Sequence, residues 1–247
     1  MKLLYTAWCV FWLVLIFLLL FPGMYLCLQR EQWKPYAHWL NRLWGKLFFP
    51  LAGIQLKVEY RSQLDPKQTY VFCANHFSYL DIAVMGVIVK HYFAFVGKDG
   101  VKNIPLFGYM FRHLHIQVNR ESTQSRVSSL NRAIKTLAQG RSIVMFPEGG
   151  IKAKQPPQMH RPWMDGAFKM AIQQQVPIVA ISLLTNYKIL PDKNPIRLHR
   201  YAMRAIVHEP LPTVGLTPQD VMSLRDKCFE MIDDELKKHH LPTSGRK

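Results

Sequence analysis

Tyr70-Val71-Phe72-Cys73-Ala74-Asn75-His76-Phe77-Ser78-Tyr79-Leu80-Asp81-Ile82-Ala83-Val84-Met85 is the stretch around which the chain is organised. Its first five residues form an apolar run that predicts a short buried strand, and Ile82–Met85 predicts the start of a buried helix. Between them lies a polar turn holding His76 and Asp81. On one continuous helix, residues five apart point about 140° away from each other. Joint action therefore requires His76 in the turn leaving the strand and Asp81 in the first turn of the helix. A carboxylate so placed fixes the tautomer of an imidazole and stabilises the charge it gains on taking a proton. The same residues also suit a plain turn histidine with an acid near a helix N-terminus, where the dipole favours it.

Downstream, period-two and period-3.6 patterns alternate. Strands are expected at Phe93–Val96, ending at Gly97-Lys98-Asp99-Gly100, and at His115–Val118, closing on Asn119-Arg120. A helix is expected from Thr123 to Gln139, with Val127, Leu130, Ile134 and Leu137 inward and Gly140 as its stop. Ser142–Phe146 reads as a strand running into Pro147-Glu148-Gly149-Gly150, Gly166–Gln174 as a helix, and Ile178–Leu183 and Ala202–Val207 as strands. Thr217-Pro218-Gln219-Asp220 opens a last helix with a cap residue, a first-turn proline and an acid. Its inner face is expected to carry Val221, Leu224, Cys228 and Met231. Upstream, Ile54–Tyr60 alternates as a half-exposed strand. The fold class is α/β: a mixed, mainly parallel sheet flanked by helices.

Ahead of this domain, Leu3–Leu28 contains no charged side chain. Such a run is long enough to cross a hydrocarbon core of about 30 Å as a helix, and Pro22-Gly23 also allows a hairpin dipping into one leaflet. A cleaved signal peptide fits less well, because the run is long and no small-x-small site follows. Arg30, Lys34, Arg42 and Lys46 follow the run and place the remainder in the cytoplasm, at an inner membrane. Trp33, Tyr36, Trp39, Trp44, Phe48 and Phe49 alternate with those cations. That mixture suits a helix lying in the headgroup region, or one packed on the domain by its tryptophans. The expected organisation is a membrane anchor and interfacial helix at 1–50, an α/β domain at 51–240 and a flexible tail at 241–247.

The 247 residues carry 32 Lys+Arg against 16 Asp+Glu, a formal charge of +16. The implied partner is acidic. An anionic membrane surface accounts for both charge and anchor, whereas nucleic acid accounts for the charge alone. Four scattered cysteines argue for a reduced chain without disulfides. There is no Gly-x-Ser-x-Gly elbow and no P-loop. His113-Leu114-His115 has no evident third ligand, so no metal is expected. What remains is a set of polar turns at strand ends, where open α/β sheets place their sites. A His–Asp pair without a nucleophile of its own is well suited to taking the proton from a substrate hydroxyl that attacks an activated acyl group. Neighbouring Lys and Arg suit a phosphate-bearing substrate.

Asn75-His76-x-x-x-x-Asp81, the Lys98–Arg120 block, Phe146-Pro147-Glu148-Gly149 and Val176-Pro177-Ile178-Val179 occur in that order. Together they resemble the four sequence blocks of the glycerophospholipid acyltransferases, in particular the bacterial 1-acyl-sn-glycerol-3-phosphate acyltransferases. The resemblance implies transfer of an acyl chain from acyl-CoA or acyl-carrier protein to the free sn-2 hydroxyl of 1-acyl-sn-glycerol-3-phosphate, with no covalent acyl-enzyme and no cofactor. It makes His76 the general base and Asp81 its orienter, sets Arg120 on the phosphate, and gives Glu148 and Gly149 the shaping of the acceptor pocket. A carboxylate beside a phosphate is unhelpful, so Glu148 is read as an organiser. Asn75, Lys98 and Lys152 complete the expected substrate-binding set. The third block departs from the family pattern: Gly150 stands where a threonine is usual, and the following cation is displaced to Lys152. Asp165 likewise stands where a lysine is frequent. These departures leave the acceptor open to another lysolipid, such as a lyso-ornithine lipid, and allow a non-catalytic lipid-binding protein on the same fold.

Overall fold

A computed structural model describes residues 2–98, 100, 103–119 and 122–240. The expected tail at 241–247 lies outside the described residues, as do Asp99, Lys102 and Arg120. Helix α1 (Lys2–Leu28) and helix α2 (Lys34–Leu51) form an antiparallel hairpin around a short 3-10 turn at Glu31–Trp33. Pro22 sits inside α1, so the anchor does not fold back on itself there. The reversal comes instead at the polar Gln29–Trp33 stretch, where the apolar run ends. Hydrogen bonds from Tyr5 Oη to Ala52 O, Trp8 Nε1 to Leu51 O and Trp44 Nε1 to Leu13 O, each 2.8 Å, hold the two helices together. With 27 residues, α1 is about 40 Å long, and it is long and apolar enough to cross a membrane. Its outer face leaves Leu4, Leu19 and Leu26 more than half exposed.

The two readings of residues 30–50 divide along α2. In the first half Trp33, Tyr36 and Trp39 are exposed, whereas in the second Phe48 and Phe49 are buried on the domain. Arg42 is structural: its guanidinium donates to Val89 O and to His91 O.

Seven strands form one sheet: β1 (Leu56–Tyr60), β2 (Val71–Ala74), β3 (Phe93–Lys98), β4 (Ile116–Val118), β5 (Ser142–Met145), β6 (Ile178–Leu183) and β7 (Met203–Leu211). Their order is β1-β7-β6-β2-β5-β3-β4. β2 to β6 all run parallel, β7 is antiparallel to β6, and β1 is parallel to β7. Successive side chains on a strand face opposite sides, and β2 shows the consequence. Val71 and Cys73 join one core with α5 (Thr123–Ala138), α6 (Gly166–Gln174) and α8 (Val221–His240). Phe72 and Ala74 join the other, with the α1–α2 hairpin and α3 (Leu80–Ile88). The result is three layers with the sheet in the middle.

Several local expectations shift. β3 continues through Gly97 and Lys98, because pairing with Gln117 and Val118 of β4 holds them in the ladder. Val127 is 54% exposed. The buried line of α5 runs through Ser129, Ala133 and Leu137, whose first two members are small and bring the helix close to the sheet. Two short helices, α4 (Phe107–Leu114) and α7 (Asn186–Ile189), were not expected.

Candidate active site

The C-terminal ends of the five parallel strands line up along one edge, and β2 lies at the centre of the sheet. The chain leaves β2 through Asn75 and His76 and enters α3 one residue before Asp81. His76 Nδ1 lies 2.9 Å from Asp81 Oδ2. That oxygen also accepts the backbone N–H groups of Phe77 at 2.8 Å and Ser78 at 2.9 Å. Asp81 Oδ1 accepts from Asn186 Nδ2 at 2.8 Å. Four donors therefore fix a carboxylate that is itself buried. With Nδ1 donating to the carboxylate, the lone pair of the neutral ring sits on Nε2, which makes no hydrogen bond among the described residues. The imidazole stacks on Phe146 at 4.1 Å between centroids and 15° between planes, and its side chain keeps 10% of its surface open.

Glu148 follows β5 and is fully buried. Oε1 accepts the backbone N–H of His76 at 2.7 Å, and Oε2 accepts that of His160 at 3.0 Å. One side chain thus ties the β2 turn to the long loop between β5 and α6. Burial pushes its carboxyl up to about 7, against the lowering effect of these two backbone donors. This placement fits an organiser of main chain. Gly149 has a φ of +77°, and a Cβ there would stand 2.8 Å from Met164 Cε. Lys152 is exposed, and its Nζ lies 3.7 Å from that same Cβ position.

Asn75 has a structural task in this turn. It is fully buried; its Nδ2 donates to Leu183 O at 2.9 Å and its Oδ1 accepts from Leu183 N at 2.8 Å. Both amide groups clip the end of β2 to β6, so the side chain positions the turn that carries His76. Lys98 is exposed at the end of β3, two strands from β2, about 10 Å across the sheet. Arg120 lies outside the described residues. Asp165 is held by Arg225 at 2.9 Å, which makes it a clamp between α6 and α8. His113 and His115 turn to separate partners, Tyr109 O and Phe95 N.

Asn186 was missed by sequence reasoning. It lies 105 residues from its partner Asp81, on a helix of only 4 residues, and no local pattern announces it. Beside the dyad lies an apolar cavity of about 620 Å³ whose walls include Phe17, Trp44, Gly86 and Phe107. Tyr79 and Ile82, which bracket Asp81, also line it, as does Phe95. Phe146 lies parallel to Phe95 as well as to His76.

The family model described as Acyltransferase matches residues 55–184, a span that includes His76, Asp81 and Glu148. The chain belongs to the acyltransferase family. Among its relatives, 1-acyl-sn-glycerol-3-phosphate acyltransferase alpha of Homo sapiens is 32% identical over 186 residues, covering 72% of this chain and 62% of the relative. The lyso-ornithine lipid O-acyltransferase of Rhizobium meliloti is 34% identical over 145 residues, covering 58% and 48%. A chloroplastic 1-acyl-sn-glycerol-3-phosphate acyltransferase of Brassica napus is 27% identical over 202 residues, covering 81% and 57%. The chain spans about half the length of these last two relatives. The crystal structure of the 1-acyl-sn-glycerophosphate acyltransferase PlsC from Thermotoga maritima superposes with a TM-score of 0.78 over 99% of this chain and 98% of that one, at 21% identity. The fold is therefore common to both over nearly the whole of each chain.

Proposed function

We propose that this acyltransferase moves a fatty acyl chain from acyl-CoA or acyl-carrier protein to the sn-2 hydroxyl of 1-acyl-sn-glycerol-3-phosphate, giving phosphatidate. The observation that carries the reading is the His76–Asp81 pair, 2.9 Å apart, with Nε2 unbonded among the described residues. His76 Nε2 takes the hydroxyl proton as the oxygen attacks the thioester carbonyl. Collapse of the tetrahedral intermediate breaks the C–S bond, and the departing thiolate recovers the proton from the imidazolium. Asp81 holds the ring and stabilises its charge. Thioester activation resides in the donor, so the step needs no metal or cofactor. The apolar cavity beside the dyad supports an acyl-chain role, and Lys98, Arg120 and Lys152 are the cations available to a phosphate. The helical hairpin supports a membrane-anchored enzyme that takes its lipid acceptor from the cytoplasmic side of an inner membrane.

Two observations favour a second acceptor. The lyso-ornithine lipid relative is more identical to this chain than the chloroplastic one, and the third block carries Gly150 and Lys152 in place of the usual hydroxyl and cation. The test is acyl transfer by membranes carrying the full chain, with labelled acyl-CoA or acyl-carrier protein and a panel of lysolipids. Phosphatidate formation, reduced about 10²–10⁴-fold in His76→Ala, is the expected result. Turnover with another lysolipid alone would reassign the acceptor. No turnover with any pair would leave a lipid-binding protein on an acyltransferase fold.

A further inference from the structure

The sheet ends in two edge strands, β4 and β1. β4 has 3 residues. β1 has 5, without a proline, in unbroken register with β7. Sheet edges expose main-chain donors and acceptors, and proteins usually blunt them. The direction of those groups in β1 follows from the bonds at its two ends. Arg61 N donates to Val207 O, and Gln55 O accepts from Met203 N, each at 2.9 Å. Main-chain groups alternate sides along a strand, so Gln55, Lys57, Glu59 and Arg61 turn theirs to β7. Those of Leu56, Val58 and Tyr60 point away from the sheet and have no partner among the described residues.

The side chains of β1 sort by face. Leu56 and Val58 pack against the core beneath the α1–α2 hairpin, and Tyr60, which shares their face, is 40% exposed. Lys57 and Glu59 point to the opposite face and are exposed. Lys57 forms no ion pair among the described residues. Glu59 meets Arg61 at 3.2 Å through Oε1, which leaves Oε2 unbonded among the described residues.

A second copy of β1 completes this edge as an antiparallel strand, and charge selects the register. Where Val58 faces its own copy, Lys57 stands opposite Glu59 of the second copy, and Glu59 opposite Lys57. Slid by two residues one way, Lys57 faces Lys57; slid the other way, Glu59 faces Glu59. Opposite charges across a pair are favourable and like charges are destabilising. A slip of one residue sets outward groups against groups already used by β7. In the favoured register Val58 pairs with Val58 and Leu56 with Tyr60, and each pair exchanges two main-chain hydrogen bonds. Every outward group then has a partner, and the apolar side chains meet on the hairpin face. We propose that β1 is a self-pairing edge, through which two copies of this chain form one continuous sheet about a two-fold axis at Val58. Such an interface is isologous. Its axis stands normal to the sheet, so both hairpins lie on the same face and can enter one membrane. β1 carries one cation and one anion, so an acidic partner, which the +16 chain otherwise suits, gains nothing there.

The test uses the full chain in cell membranes, in a Cys27→Ser background, because Cys27 is the native cysteine that is not buried. Two differently tagged copies, Lys57→Cys and Glu59→Cys, are co-expressed and oxidised with copper phenanthroline. Opposite residues that share no main-chain bonds stand about 4.5 Å apart between Cα atoms, within reach of a disulfide. Two copies of position 57, or two of position 59, stand about 8 Å apart, beyond that reach. We expect the mixed pair to form a linked dimer and each like pair to form about tenfold less. Lys57→Glu sets two carboxylates face to face and should lower the dimer fraction measured by mass photometry in detergent. Lys57→Glu combined with Glu59→Lys should restore it. Linkage mainly within a like pair would mean another register and overturn the proposal. So would equal linkage in all pairs, which reports random collision, or no linked dimer at all. A double variant no more dimeric than Lys57→Glu alone would overturn it as well.

Discussion

Two segments leave the same edge of the sheet, and each is organised by a buried carboxylate. After β2, Asp81 gathers His76, Phe77, Ser78 and Asn186 with four hydrogen bonds. After β5, Glu148 accepts two among the described residues, from the backbones of His76 and His160. The first carboxylate closes a turn in which most of the partners lie within five residues. The second reaches across to another strand's turn and along its own loop. What differs is the number of donors that compensate for burial. Burial pushes the Glu148 carboxyl up to about 7 against the opposing effect of its two backbone donors. The Asp81 carboxylate gathers its own turn, whereas the Glu148 carboxyl ties two separate turns together.

Asp81→Asn is the severest test of the first half of this contrast. The amide oxygen can take the place of Oδ2, and the new amide group can face Asn186, whose own Oδ1 has no partner among the described residues and can turn to accept. Geometry is then kept while the charge is lost. We expect kcat to fall about 10²–10⁴-fold with an imidazolium no longer stabilised, while the Tm moves by only a few degrees. A collapse of stability equal to the loss of activity would mean that the carboxylate serves the turn rather than the base.

Glu148 is tested through pH. Its folded-state value of about 7 lies above the ordinary 4.5, so between these values the folded chain binds a proton that the unfolded chain releases. The contribution is complete below about pH 4.5 and is lost as pH rises through about 7; at most it amounts to about 3 kcal/mol. Urea unfolding across that window should show stability falling with pH, and Glu148→Gln should flatten the slope. Gln offers one acceptor where two backbone donors need one each, so the variant should also lose about tenfold in kcat. An unchanged slope in the variant would assign the titration to another group.

Asn186→Ala removes one of the four donors to Asp81 and should cost about 1 kcal/mol. Because three donors remain, kcat should fall only a few-fold, with a shifted pH–rate profile that a merely structural loss would not produce. Gly86 gives the mildest effect. A Cβ there meets nothing within 4 Å and projects from a wall of the apolar cavity. Gly86→Leu should leave turnover of short acyl donors intact and disfavour the longest ones, read from competition between donors of different chain length.

The alternation of strands and helices, the His–Asp turn and the cap of α8 were legible because each rests on neighbours in sequence. Asp220 accepts from Thr217 N and Oγ1, each at 2.8 Å, where the sequence places the start of the last helix. The substrate role expected for Asn75 was not legible as a positioning role, because its partner Leu183 lies 108 residues away. α4 left a faint signal in the Met110, Phe111 and Leu114 stripe that it buries, but aromatic and glycine residues weaken its helical propensity. Asn186 left none.

By itself, the sequence determined the alternation of strands and helices, the long apolar helix at the start and a turn in which His76 and Asp81 can meet, since all of these depend on interactions within one or two turns of chain. Only the tertiary structure decided that β2 lies between β5 and β6, which brings Glu148 and Asn186 to the dyad from opposite sides. It also decided that the chain reverses between α1 and α2 rather than at Pro22. The physical reason is the same in each case. Strand order and helix docking are settled by which apolar faces bury one another, and that choice depends on the whole chain at once.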